Sequence, residues 1–254
     1  KEVASTRPAK AQRDTVKPEA PKVRPAAKPT ATEDPVTQTA VIGTAPSVTG
    51  GFVGMNRNSN GCGTPPDTTG DVGGTLGQYY VQAVNCSVAI YNTSTGTKYA
   101  NYTLDDFMKA AMGSTSPCAK NNQGDPLVSY DVAAARWVVL DFWWDYTNTG
   151  YSGPYKFCIA VSDTDNPTGS WHGFAMDTSL TSDGTTRSWM PDYPKMGFTP
   201  NGLAITANMF ANAASYNGVG VYMLDRASLF CIPTTLSPCT LKTYRWKLGT
   251  TYFS

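Results

Sequence analysis

Residues 70–103 read GDVGGTLGQYYVQAVNCSVAIYNTSTGTKYANYT. The segment opens with Gly70-Asp71-Val72-Gly73, turns at Leu76-Gly77-Gln78 and enters the apolar stretch Tyr79–Val84. Residues 87–91, the turn residues 92–96 and a fourth stretch at 98–103 complete it. Short runs of β-branched and aromatic residues separated by Gly, Asn and Asp are strands separated by turns. The order recurs twice. Gly124-Asp125-Pro126 leads to a turn at 133–135 and stretches at 136–142, 156–162 and 171–176. Pro191-Asp192-Tyr193-Pro194-Lys195 leads to a turn at 199–202 and stretches at 203–208, 219–224 and 241–248. The leading aspartates lie 54 and 67 residues apart. Four strands per repeat at this period is the pattern of a β-propeller blade.

Composition agrees with an all-β chain. Only 15% of the 254 residues are charged, and all three glutamates (Glu2, Glu19, Glu33) precede residue 41. The remaining acids beyond that point are fourteen Asp, which favours turns and caps where Glu favours helices. Residues 1–40 hold eight Lys/Arg, five Asp/Glu, six Pro and eight Ala, with no aromatic, Leu, Ile or Met. Such a segment buries too little apolar surface to offset its ordering entropy, so 1–45 is expected to be an extended tail. It reads as a solvated linker or propeptide remnant; a tether to an acidic polymer, cell wall or partner is the functional alternative. The net charge of +1 offers no reason to expect nucleic acid as a partner, and no apolar run is long enough to span a membrane.

Several motifs recur together: Pro65-Pro66-Asp67-Thr68-Thr69-Gly70-Asp71-Val72-Gly73, Gly124-Asp125-Pro126 with Tyr130-Asp131 and Arg136-Trp137, Cys158-Ile159-Ala160-Val161-Ser162, and Asp165-Asn166-Pro167-Thr168-Gly169. With Pro191-Asp192-Tyr193-Pro194-Lys195 they resemble secreted bacterial β-propeller proteins, often multidomain and carrying PKD-type modules, over roughly residues 51–230. The resemblance implies an exported propeller and little chemistry. Residues 46–254 would then be a partial propeller with blades at about 62–110, 118–180 and 187–250. Propellers close with four to eight blades, so three imply a fragment or part of a ring completed by another chain or by a missing C-terminal segment.

Six cysteines in a turn-rich exported chain point to disulfides. In a blade the loop leading into the first strand and the turn between the second and third share a rim. That places Cys62 with Cys86 and Cys118 with Cys158 as equivalent staples, leaving Cys231 and Cys239 to close a short loop. A zinc site fits poorly, since there is no CxxC and one histidine in the chain.

The same rim would carry Asp71, Asp125 and Asp192, with Asp67 close by, and the aromatic loop containing Trp143, Trp144, Tyr146 and Tyr151. Residues 210–218 would form a further loop there. Carboxylates beside exposed rings suit a sugar: acids bind hydroxyls and rings stack on apolar sugar faces. The structural alternative is that the aspartates hold turns and the tryptophans pack between blades. Asp71, Asp125 and Asp192 are also the candidates for a carboxylate pair in a glycoside hydrolase or lyase. His172 reads as surface structure on an outer strand, far from any channel. The Asp163-Thr164-Asp165-Asn166 turn has a piece of a calcium loop without its distal Glu, so calcium stands as the one cofactor candidate and an Asx turn as the simpler reading. Asn-x-Ser/Thr triplets begin at Asn85, Asn92 and Asn101, as expected by chance in a Ser/Thr-rich chain. The leading expectation is a non-catalytic extracellular or cell-surface binding and assembly module with polysaccharide as its candidate ligand. An Asp-based carbohydrate-active enzyme and one chain of a processed multi-chain propeller are the alternatives.

Overall fold

A computed structural model describes residues 50–56, 65–145, 153–182, 185–211, 215–234 and 237–248. The described chain is all-β, built on three four-stranded antiparallel sheets, each with its strands in sequence order. Sheet one contains β1 (Thr69–Gly73), β2 (Tyr79–Val84), β3 (Ser87–Asn92) and β4 (Lys98–Thr103). Sheet two contains β5 (Leu127–Asp131), β6 (Arg136–Trp144), β7 (Tyr155–Ser162) and β8 (Trp171–Asp177). A small hairpin, β9 (Leu180–Ser182) with β10 (Thr185–Arg187), precedes sheet three: β11 (Met190–Thr199), β12 (Gly202–Ala211), β13 (Ser215–Asp225) and β14 (Thr243–Leu248).

Local chemistry makes these meanders. Val84 pairs with Ser87, so Asn85 and Cys86 form a two-residue hairpin turn, and Asn85 takes the left-handed φ of +41° that such turns require. At the next turn the Asn92 Oδ1 accepts from the amides of Ser94 and Thr95, both at 2.9 Å, before Gly96 reverses the chain. β11 carries Pro191 and Pro194, and a register shift between Asp192 and Lys195 absorbs the interruption they cause.

The sheets stack face to face, and the core lies in the two layers between them. Val81, Ala83, Val88 and Ile90 of sheet one meet Trp137, Val139 and Ala160 of sheet two. The other face of sheet two presents Leu140, Phe142, Phe157, Ile159 and Val161 to Leu203, Ile205, Met209, Tyr222 and Leu224 of sheet three. The first strands adjoin, β1 against β5 and β5 against β11. Strands β1 and β5 come close at Gly73, where a Cβ would run into the Tyr130 ring, so only glycine fits.

Two helices and the β9–β10 hairpin interrupt the expected run of strands. Helix α1 (Leu104–Met112) starts at Thr103, whose hydroxyl accepts from the Asp106 amide at 3.1 Å. It buries Leu104, Phe107 and Met108 and packs on β8, with Phe107 edge-on to Trp171 at 4.9 Å. It thus fills the gap between the outer strands of sheets one and two. The β9–β10 hairpin follows β8 in the same way and touches β14. The short helix α2 (Arg226–Leu229) follows β13.

The stack has two outer faces. On sheet one, Tyr80, Val84, Ala89 and Tyr91 are covered by Met55 and Phe52. Gln82 fastens this strap: its Oε1 accepts from the Met55 amide at 2.7 Å and its Nε2 donates to the Met55 carbonyl at 3.4 Å. On sheet three, Val219, Val221 and Met223 pair with Leu248, Trp246 and Tyr244, so all six side chains share one face. Leu248, Trp246 and Tyr244 are exposed.

Candidate functional site

The aspartates that open each repeat do not share one environment. Asp71 sits mid-strand in β1, and its carboxylate is engaged by donors: Oδ1 accepts from the Val72 amide at 2.8 Å, and Oδ2 from the Tyr130 amide at 2.8 Å and the Ser129 hydroxyl at 3.3 Å. It ties β1 to β5. Asp125 precedes β5, is buried and has a left-handed φ of +50°. Its amide donates to the Asn85 Oδ1 at 3.3 Å. Asp192 is the third residue of β11, buried and opposite Asn208. Asp67 is half-buried in the otherwise exposed segment before β1, with φ +43°. Among the described residues no three His, Cys or acidic side chains converge closely enough to hold a metal ion.

The aromatic half of the expected surface is placed differently. Trp143 and Trp144 belong to strand β6, not to an exposed loop, and both are buried. The β6–β7 pairing continues through them, Trp143 opposite Lys156 and Trp144 opposite Tyr155, which draws the rings into the core layers. Tyr155 is also enclosed, and burial pushes its phenol up to about 12 against a lowering hydrogen bond from the Gly153 backbone. Tyr146 and Tyr151 lie outside the described residues. So do 212–214 of the third loop, whose flanks Phe210 and Tyr216 are in strands β12 and β13. Exposed rings occur instead on β14, where Tyr244 and Trp246 stand 6.4 Å apart at an interplanar angle of 17°.

Asn85 emerges as a hub that sequence reading treated only as a chance glycosylation triplet. Its Nδ2 donates to the Pro65 carbonyl, its Oδ1 accepts from Asp125 and its carbonyl accepts from Asn122 Nδ2 at 3.3 Å. One buried amide therefore gathers the segments leading into sheets one and two. His172 corrects another expectation. It is buried in β8 beneath α2, with Nδ1 2.6 Å from Asp163 Oδ1 and Nε2 3.4 Å from the Leu229 carbonyl. It is a strut between sheet two and sheet three. The Asp163–Asn166 turn serves packing too: Asp165 Oδ2 accepts from the Thr75 hydroxyl at 2.7 Å, and its carbonyl accepts from Trp137 Nε1 at 2.9 Å.

A two-pronged ion pair joins sheet two to the helix that follows β13 of sheet three. Arg226 reaches Asp131 with both terminal nitrogens, at 2.6 and 2.8 Å. Burial opposes the Asp131 charge, but the Arg226 and Ala134 hydrogen bonds and the Arg226 charge outweigh it and hold this carboxyl below its ordinary range. A shallow groove of about 410 Å³ opens between the outer strands β8 and β14, lined by Phe174, Met176, Leu241 and Thr243 and crossed by the Arg245–Asp177 contact at 3.5 Å.

Cys118 is bonded to Cys158 and Cys231 to Cys239, the first joining the segment before sheet two to β7. Cys86 is disulfide-bonded as well; Cys62, its expected partner, lies outside the described residues. These bonds fit an oxidising compartment. No helix among the described residues is long and apolar enough to cross a membrane.

No family model matches this chain, and no curated protein does. Among solved structures it is similar to an α-L-arabinofuranosidase from Lactobacillus brevis, with a TM-score of 0.40 and 13% identity over 72% of this chain and 53% of that one. It is similar also to an exo-β-1,3-galactanase from Clostridium thermocellum, with a TM-score of 0.40 and 12% identity over 75% of this chain and 47% of that one. The chain thus spans about half the length of the solved structures it matches.

Proposed function

We propose that the chain is a run of three consecutive β-propeller blades and acts as a non-catalytic, extracellular binding and assembly module. The observation that carries this reading is the repeated contact pattern: sequence-ordered four-stranded sheets stacked face to face with their first strands adjoining. That is the arrangement of blades around an axis. The side chains best suited to chemistry hold the stack together. Asp71 spends its carboxylate on the backbone of the next sheet, and His172 and Asp131 brace sheet two against sheet three.

Assembly is favoured over glycan capture because Trp143 and Trp144, the rings expected to stack on a sugar, are buried in β6. The experiment is a reducing-sugar assay of the purified chain on a panel of plant and microbial polysaccharides, beside Asp71→Asn, Asp125→Asn and Asp192→Asn. The expected result is no product from any of the four proteins. Turnover by the wild-type chain that these substitutions abolish, with folding intact by circular dichroism, would establish the Asp-based hydrolase or lyase instead.

A further inference from the structure

We propose that His172 is a proton-operated latch: carrying both ring protons it fastens α2 to β8, and on losing one it lets α2, and with it one wall of the groove, come away.

His172 is the single histidine of the chain and is 5% exposed. Both of its ring nitrogens face acceptors. Nδ1 lies 2.6 Å from Asp163 Oδ1, in the turn between β7 and β8, and Nε2 lies 3.4 Å from the Leu229 carbonyl of α2. A neutral imidazole has one N–H and one lone pair, whereas the imidazolium has two N–H groups. Only the imidazolium can therefore donate to both partners. With one proton the ring keeps the shorter bond, to the charged acceptor Asp163, and turns the Nε2 lone pair on the Leu229 carbonyl. Two acceptors then face each other in a buried place, where an unpaired polar group is costly.

The surroundings leave the change to His172. Apolar groups enclose the ring: Phe174 stands edge-on at 5.7 Å, and Val161 is the cross-strand partner. Asp163 is the charged group in contact with it. On α2 and its flanks, Arg226 reaches Asp131 at 2.6 Å, Asp225 accepts from the Ser228 amide at 2.9 Å, and Lys242 lies beside Asp225. Lys156 and Asp177 face each other at the far ends of β7 and β8. Of these residue types, histidine alone exchanges its proton between about pH 5 and 8.

α2 carries more than itself. Leu229 is buried in the core shared by sheets two and three. The Ser228 hydroxyl accepts from the Lys242 amide at 3.0 Å, and Leu241 and Thr243, on either side of Lys242, line the groove opposite Phe174 and Met176. Those two residues share a face of β8 with His172, because side chains two apart along a strand point the same way. The latch thus stands at one end of the groove and holds the wall that faces its own strand.

The test pairs nitrogen NMR of the ring, unambiguous with one histidine, with amide hydrogen exchange of the 254-residue chain from about pH 5 to 8. The reporters are the Phe230 amide, which donates to the Arg226 carbonyl, and the Lys242 amide. As pH rises, Nε2 and not Nδ1 should lose its proton. Protection of both amides, corrected for the intrinsic rate, should fall about tenfold across the same midpoint, the effect of one hydrogen bond. His172→Gln should remove this pH dependence. A ring that keeps one protonation state over the range, a proton lost from Nδ1 instead, or a titration that leaves both amides unchanged would each overturn the latch. So would a His172→Gln chain with the wild-type pH dependence. The wild-type measurement decides the matter alone where that variant does not fold.

Discussion

Asp71 shows what a single side chain does in this fold. Its Oδ2 accepts from the amide of Tyr130, 59 residues further along the chain, and so turns a strand-forming aspartate into a clamp between sheets. A charged acceptor of this kind contributes roughly 1.5–3 kcal/mol. Asp71→Asn keeps the shape but replaces one acceptor oxygen by a donor, which faces either the Val72 amide or the Tyr130 amide. The expected outcome is a loss of about 2 kcal/mol in urea unfolding, with no gain or loss of ligand binding. Unchanged stability would show that the clamp is idle. The importance of Asp71 was legible from its place at the head of a repeat; its role was not. Whether such a carboxylate faces a ligand or a backbone amide is decided by a neighbouring sheet that sequence spacing does not position. Asn85 was missed for the same reason, because its three partners at Pro65, Asn122 and Asp125 come from two other segments. Trp143 and Trp144 follow the structural alternative, packing between sheets, because the β6–β7 ladder runs two residues beyond the apolar stretch ending at Phe142 and makes core of an expected loop.

At the scale of elements, the strands were legible and the insertions were not. Tyr79–Val84 and Lys98–Thr103 stand where period and turn residues place them, because the turns between them carry Asn and Gly, although the first is covered on both faces and the second is largely exposed. Helix α1 escaped notice because nine residues are few against a background of strands. Its cues were present in Thr103-x-x-Asp106 and in the apolar Leu104, Phe107 and Met108 on one helical face. That helix matters because it closes the outer gap between sheets one and two, while the gap between sheets two and three has a small hairpin and an open groove. Phe107→Ala should therefore cost about 3–5 kcal/mol, the range for emptying a buried aromatic site. Hydrogen exchange should show β8 amides losing protection together with α1. Protection lost in α1 alone would mean that the helix merely lies on the surface. The Cys118–Cys158 bond constrains the same region by closing a loop of sequence separation 40.

For the molecule as a whole, the two layers between sheets are held in different ways, and acid should tell them apart. Between sheets one and two lie Asp71, α1 and a disulfide. Between sheets two and three the polar ties include Asp131 with Arg226, Asp177 with Arg245, and Asp225, which caps the helix holding Leu229 against His172. All three of these carboxyls are held below the usual 3.8. At Asp131 and Asp177 burial works the other way but is outweighed, by Arg226 and the Ala134 amide in one case and by Ser179, Lys156 and Arg245 in the other. At Asp225 the Ser228 amide is the leading cause. A carboxyl with a depressed folded pKa contributes stability that is complete above its unfolded pKa and disappears as pH falls through the folded value. Stability from these groups should thus be level from neutral pH down to about 5 and decline below about 4. Acid titration followed by hydrogen exchange should show amides of β12 and β13 opening before those of β2 and β3. Asp131→Asn should lower stability at neutral pH and make the acid decline shallower, because the proton that the wild type must take up is no longer required. If β2 and β3 open first, or if Asp131→Asn leaves the acid slope unchanged, the second layer does not depend on its carboxylates and Arg226 is a surface partner only.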